Sequence, residues 1–265
     1  MYSMKKLTIG AIKKRKEALP LVMITAYDAI FARLFSESAD IILVGDSLNM
    51  SFGGNPDTLS VTMDQMLYHT NAVCKGAPDT FVIIDMPFGT YTDETSAFNN
   101  AMRVYRETPA DAVKIEGGAD KANIIRHLTA NGIAVCGHIG LLPQAFRAEG
   151  GYKIKGKTED EALSLICDAQ AVEAAGAFCM VIEGVKADVA TRVAQSVSIP
   201  VIGIGAGNGV DGQVLVFSDM LGFYEPFVPK FVKQYINGAK KVKEAVAAYT
   251  IEVQNREFPN ENYIY

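Results

Sequence analysis

Eight short, nearly unbroken apolar runs recur along the chain, at 21–28, 41–46, 81–85, 112–116, 133–138, 177–183, 200–205 and 213–219. Runs of this length without polar alternation predict parallel strands covered on both faces. Helix-period segments lie between them, several with start signals: Thr62 with Gln65 and Thr158 with Glu161 are spaced as capping boxes. Gly76 with Pro78, Asn131 with Gly132, and Gly176 are stop signals. An amphipathic helix is expected over 8–19 and a long one over 230–257, where Phe231, Tyr235, Ala239, Val242, Val246, Tyr249 and Val253 form a stripe ended by Pro259. The stripe reads first as a face packed on the barrel and alternatively as an oligomer contact. Eight strand–helix alternations without a linker predict an α/β fold, a single (β/α)8 TIM-barrel domain over 1–265 with an N-terminal and a long C-terminal helix.

In such a barrel the carboxyl ends of all strands converge on one rim, so the residues that end the runs are expected to meet. Seven of the eight runs end on a carboxylate or histidine: Asp28, Asp46, Asp85, Glu116, His138, Glu183 and Asp219. A carboxylate removed from water without a partner costs several kcal/mol, and a ring of them calls for a cation. Helix capping or pairing with Lys or Arg explains any one of them; Asp46, Asp85 and Glu116 together point to a shared metal. Oxygen donors without a His or Cys cluster favour a hard ion, Mg²⁺ first.

Lys114 lies two residues before Glu116 on the same strand, so both face the barrel interior. It reads equally as a structural ion pair or as the group that grips the carboxylate of a small acid. Glu183 is one acid more than a hydrated Mg²⁺ site needs, and burial among other carboxylates would raise its pKa toward that of a general base. Its bland alternative is a salt bridge to Lys186. His138 reads as a base, a substrate donor or an interior histidine; His69 and His127 fall in helix patterns. Gly207, Gly209 and Gly212 fit a GxGxxG spacing, but a strand follows where the dinucleotide fingerprint needs a helix. Close backbone approach to a ligand or a tight rim is the better reading there, with phosphate binding a minor one.

The 265 residues carry a net charge of -5, with a pI near 5.3, which argues against nucleic acid or an acidic membrane as partner. No apolar run is long enough to span a membrane, and no secretory signal is read at the start, so a cytoplasmic location is expected. Cys74, Cys136, Cys167 and Cys179 lack metal or thiol-exchange spacing and are expected to be buried. The loops 47–60 and 139–157 are too long for simple connectors. The second holds Gly150, Gly151 and Gly156 around Tyr152, Lys153 and Lys155, a composition suited to ordering over an anionic substrate.

The strand-end motifs resemble one family. Thr25-Ala26-Tyr27-Asp28, Val44-Gly45-Asp46-Ser47, Asp85-Met86-Pro87-Phe88-Gly89, Lys114-Ile115-Glu116-Gly117-Gly118, Gly137-His138-Ile139-Gly140-Leu141, Gly150-Gly151-Tyr152-Lys153, Glu183 and Gly203-Ile204-Gly205-Ala206-Gly207 are similar, in order and spacing, to ketopantoate hydroxymethyltransferases. Leu142 departs from the Thr expected before Pro143, and Lys186 from a frequent Pro. The resemblance implies a homodecameric transferase of pantothenate biosynthesis that moves a one-carbon unit from 5,10-methylenetetrahydrofolate to 3-methyl-2-oxobutanoate. It implies Asp46, Asp85 and Glu116 around Mg²⁺, Ser47 and Lys114 on the oxo acid with Asp46 and Asp85 beside it, and Glu183 as the base. Chelation of the oxo acid by the ion would stabilise the enolate formed on deprotonation. The runner-up readings are a Mg²⁺-dependent 2-oxo acid lyase of the isocitrate-lyase-like group, disfavoured by the lack of its loop cysteine, and a metal and oxo-acid binding barrel without turnover.

Overall fold

A computed structural model of the chain describes residues 6–225 and 227–265. Eight parallel strands, β1 (Leu21–Thr25), β2 (Ile41–Val44), β3 (Phe81–Asp85), β4 (Ala112–Glu116), β5 (Val135–Gly140), β6 (Cys179–Glu183), β7 (Val201–Ile204) and β8 (Gly212–Leu215), close in sequence order into a barrel. β8 pairs with β1 through Leu21 and Gly212. The chain divides into two compact units, 1–216 and 217–265.

Alternate residues of each strand fill the first unit's interior. Met23, Ile41, Leu43, Phe81, Ile83, Ala112, Cys136, Cys179, Val181, Ile202 and Val214 form one buried cluster, with the Phe81 and Phe178 rings 5.7 Å apart. Ile12, on the short helix Ile9–Lys13, joins the cluster beside residues that begin the strands. That helix stops at Lys13, well before the expected 19, although Thr8 caps it through the N–H of Ala11. Following the two-residue alternation upward, the next inward positions are Asp85 on β3, Lys114 and Glu116 on β4, His138 on β5 and Glu183 on β6. The pleat that builds the apolar core therefore also aims the polar residues at the rim.

Both capping predictions hold in part or whole. Thr62 and Gln65 form a reciprocal box before the helix Met63–Gly76. Thr158 accepts from Glu161, but the Glu161 carboxylate turns back to the N–H of Lys157. Gly76 is the last residue of that helix, and a side chain there would strike the backbone of Ala29.

Two of the seven strand-end residues are elsewhere. Asp28 lies beyond β1 and caps the helix Ala29–Phe35, accepting from the N–H groups of Ile30 and Phe31 at 2.8 and 2.9 Å. β8 stops at Leu215, and Asp219 sits on the helical turn Phe217–Met220. Cys167 is exposed, in contrast to Cys74, Cys136 and Cys179. Gly207 and Gly209 approach Ala187 and Thr191 of the helix Ala187–Gln195 so closely that a Cβ would collide, so they serve helix packing.

In the second unit the long helix runs Gly238–Gln254, capped by Asn237, shorter than the expected 230–257. Ala239 of the predicted stripe is buried, while Val242, Val246, Tyr249 and Val253 are exposed. No helix of the described residues is long and apolar enough to cross a membrane.

Candidate active site

Strand register places Asp85 beside Lys114 and Glu116 beside His138. Asp46, Asp85 and His138 are each 3% exposed, and Lys114 and Glu116 4%. The Lys114 ammonium lies 3.1 Å from Asp85 Oδ1, 3.9 Å from Glu116 Oε1 and 2.9 Å from His138 Nδ1. Burial works against its charge, but Asp85, Glu116 and Asp46 outweigh burial and hold it protonated. An ammonium can only donate, so His138 Nδ1 accepts and Nε2 carries the hydrogen. Burial and the Lys114 charge push His138 well below its usual range, which keeps the ring neutral. Its Nε2 faces Glu183 Oε2 at 3.3 Å.

The carboxyls are shifted together. Burial, then the negative charges of Asp85 and Glu116, raise Asp46 well above its ordinary value. Burial raises Asp85 against the pull of Lys114. Glu116 is pushed up to about 8, mainly by burial. Glu183 is also raised to about 8, by burial and then by Asp46 and Asp85, with Lys114 opposing. Among the described residues the side chain that faces it is the neutral ring of His138, and the sequence alternative of a Lys186 pair is not formed.

Each of the three grouped acids has one oxygen held by an N–H. Asp46 N donates to Asp85 Oδ2 at 3.0 Å, Gln144 Nε2 to Asp46 Oδ2 at 2.8 Å, and Gln144 N to Glu116 Oε2 at 3.0 Å. Asp85 Oδ1 and Glu116 Oε1 are buried without an aligned hydrogen bond. Asp85 Oδ1 has the Lys114 ammonium at 3.1 Å and Glu116 Oε1 has it only at 3.9 Å. Three buried carboxyls around one ammonium fit a further cation, though no three His, Cys, Asp or Glu side chains of the described residues converge as a ready-made metal cluster. Ser47 follows Asp46, half-buried, and its hydroxyl shares a 2.8 Å hydrogen bond with Tyr27.

Gln144 and Tyr91 escaped the sequence reading. Gln144 sits in the turn Pro143–Ala145, where the first N–H groups of a helical turn lack partners within it. Tyr91 donates to Gln144 Oε1, and Gln144 Nε2 also reaches Met86 O at 3.0 Å. Nothing local marks a glutamine in a Gly-bearing loop as buried. The loop is also tied elsewhere: Arg147 to Asp57 at 2.9 Å, Lys155 to Glu149 at 2.6 Å, and Lys155 N to Gly184 O at 2.9 Å. The positive charge read as waiting for an anion is thus already paired at Lys155.

The family model for ketopantoate hydroxymethyltransferase matches residues 6–261. The chain belongs to that family. Two similar proteins are both called 3-methyl-2-oxobutanoate hydroxymethyltransferase. The one from Sulfurimonas denitrificans is 68% identical, covering 98% of this chain and 99% of its own. The one from Helicobacter pylori strain 26695 is 50% identical, covering 97% and 95%. As a member of the ketopantoate hydroxymethyltransferase family, the chain is an enzyme, a hydroxymethyltransferase. Its fold is shared more widely. A phosphonopyruvate hydrolase solved with oxalate and Mg²⁺ aligns with a TM-score of 0.61 at 14% identity, over 98% of this chain and 90% of that one. A 2,3-dimethylmalate lyase aligns at 0.61 and 17%, over 97% and 87%.

Proposed function

We propose that this hydroxymethyltransferase deprotonates 3-methyl-2-oxobutanoate at the carbon beside the keto group and adds a one-carbon unit from 5,10-methylenetetrahydrofolate, giving 2-dehydropantoate for pantothenate synthesis. The substrates follow from the names of the similar proteins and from the chemistry of the rim. Asp46, Asp85 and Glu116 would hold Mg²⁺, which when bound supplies Lewis-acid stabilisation of the charge that develops on the keto oxygen. Lys114, kept protonated by its acid neighbours, binds the substrate carboxylate, with Ser47 offering a hydroxyl beside it.

Glu183 is the base. It ends β6 on the Nε2 side of His138, whose Nδ1 faces Glu116, and its pKa of about 8 suits a group that must take a carbon-bound proton near neutral pH. That placement is the observation that carries the reading. Neutral His138 sets its Nε2 3.3 Å from the carboxylate without an aligned hydrogen bond, a position from which its hydrogen would steady Glu183 once charged. After proton loss, the substrate carbon bonds to the folate-derived methylene carbon, both bonds from that carbon to the folate nitrogens break, and one water molecule supplies the hydroxyl oxygen. The water's second proton and the one taken by Glu183 go to the two nitrogens, so tetrahydrofolate leaves, and the low exposure of the rim keeps bulk water out. The decameric assembly and a cytoplasmic location remain part of this proposal.

The test is exchange of the substrate's C3 proton in D₂O with Mg²⁺ and no folate, followed by NMR. The unaltered enzyme is expected to exchange it. Glu183→Gln should slow exchange about 10²- to 10⁴-fold while keeping substrate affinity. Equal exchange rates in the two proteins would remove Glu183 from the mechanism.

A further inference from the structure

We propose that Gln144 is a positioning residue that leaves Asp46 and Glu116 one free oxygen each, so that the rim offers a divalent cation single oxygens rather than chelating carboxylates. The inference rests on the metal reading above and assigns a cause to its geometry.

Gln144 uses nearly every hydrogen-bonding group it has. Its main-chain N–H holds Glu116 Oε2, one side of its Nε2 holds Asp46 Oδ2, and the other holds Met86 O just past β3. Its Oε1 accepts from the Tyr91 hydroxyl. A rotated amide would set its oxygen against the Asp46 and Met86 oxygens and its NH₂ against a donor, so Tyr91 fixes the orientation. One loop residue thereby connects the rim ends of β2, β3 and β4. Asp85 is treated alike by a different donor, the N–H of Asp46 at 3.0 Å. On the opposite sides, Glu116 Oε1 and Asp85 Oδ1 are buried without an aligned hydrogen bond. Asp85 Oδ1 lies 3.1 Å from the Lys114 ammonium, so Glu116 Oε1 and the Asp46 oxygen that Gln144 does not hold are the ones left to face a divalent cation.

Single-oxygen presentation has a chemical consequence. Mg²⁺ takes six ligands in a near-ideal octahedron and keeps several waters, whereas larger Ca²⁺ accepts bidentate carboxylates and irregular shells. Carboxylates pinned by one oxygen suit the smaller ion. Gln144 thus contributes to the choice of metal as well as to its affinity.

Titration calorimetry of the metal-free full-length protein with Mg²⁺ and Ca²⁺ tests this. Gln144→Met keeps the side chain's length but removes its donors; it should weaken Mg²⁺ about 10- to 100-fold, the usual effect of removing a group that orients metal ligands, and weaken Ca²⁺ by much less. Tyr91→Phe, which spares the amide and loses only its orientation, should show a smaller change in the same direction. It carries the test if the first variant does not fold. Tyr91→Phe combined with Gln144→Met should be no weaker than Gln144→Met alone. Unchanged Mg²⁺ affinity in folded variants, or equal losses for both metals, would overturn the inference while leaving the metal reading intact. Absence of Mg²⁺ binding by the unaltered protein would overturn the metal reading first, and this with it.

Discussion

At the scale of single residues, Lys114 organises the charge of the rim. It pairs with Asp85, approaches Glu116 and fixes the tautomer of His138. Because it pulls the Glu183 pKa down against burial, replacing it should make this proposed base a weaker acid. Lys114→Met is therefore expected to move the rising limb of the pH–rate profile for C3 proton exchange to higher pH, by about one unit. A profile unmoved in a folded variant would mean that Lys114 does not act on the base. The residue roles were only partly legible in the sequence. Asp85, Lys114 and Glu116 were readable because inward and outward positions alternate along a strand. Asp28 was misread because a carboxylate after a strand looks the same whether it faces the rim or caps the next helix.

Between elements, the junction of β5 and β6 is tight where the proposed base, Glu183, sits. Gly140 has φ +94° in the left-handed region, and a Cβ there would lie 2.4 Å from the carbonyl oxygen of Glu183. Gly140→Ala should cost about 1–3 kcal/mol in strain and displacement, read as a fall of several degrees in the thermal midpoint. Exchange activity should fall as well, because the clash moves the Glu183 backbone. The loop 139–157 is held to the loop after β2 by Arg147, which reaches the buried carboxylate of Asp57 through two nitrogens. Asp57→Asn removes that charge pair; the expected result is a higher KM for the oxo acid and faster hydrogen exchange in 143–149, with the barrel unaltered. Mass spectrometry of exchange checks the second point. Glycine content suggested that this loop bends freely, yet its bonds run to residues 28 and 90 positions away in the chain, which no local pattern encodes.

For the molecule as a whole, closing the barrel collects acids that would stay apart in an extended chain, and stability depends on pH as a result. A carboxyl whose folded pKa exceeds its unfolded value binds its proton more tightly when folded. Glu116 and Glu183 rise from 4.5 to about 8, so their contribution is complete below about 4.5 and is lost as pH climbs through about 8. Metal-free protein should accordingly melt at a lower temperature at pH 8 than at pH 6. Mg²⁺ should restore stability most at the higher pH, by about 2.7 kcal/mol when it exceeds its Kd a hundredfold. Scanning calorimetry at both pH values decides the matter, and a Mg²⁺ effect that is the same at each would contradict a cation bound among these acids.

By itself, the sequence determined the eight-strand α/β barrel and the strands that deliver Asp85, Lys114, Glu116 and Glu183, with β3 and β4 legible to the residue. It could do so because burial on both faces and a two-residue pleat leave a local trace in composition. Tertiary structure alone decided that Gln144 and Tyr91 join the site, that His138 is neutral and turned toward Glu183, and that Asp219 lies on a helical turn beyond β8. Those outcomes depend on bonds between residues as much as 98 positions apart and on the desolvation of charges by neighbours from other strands. Neither quantity exists until the cylinder has closed.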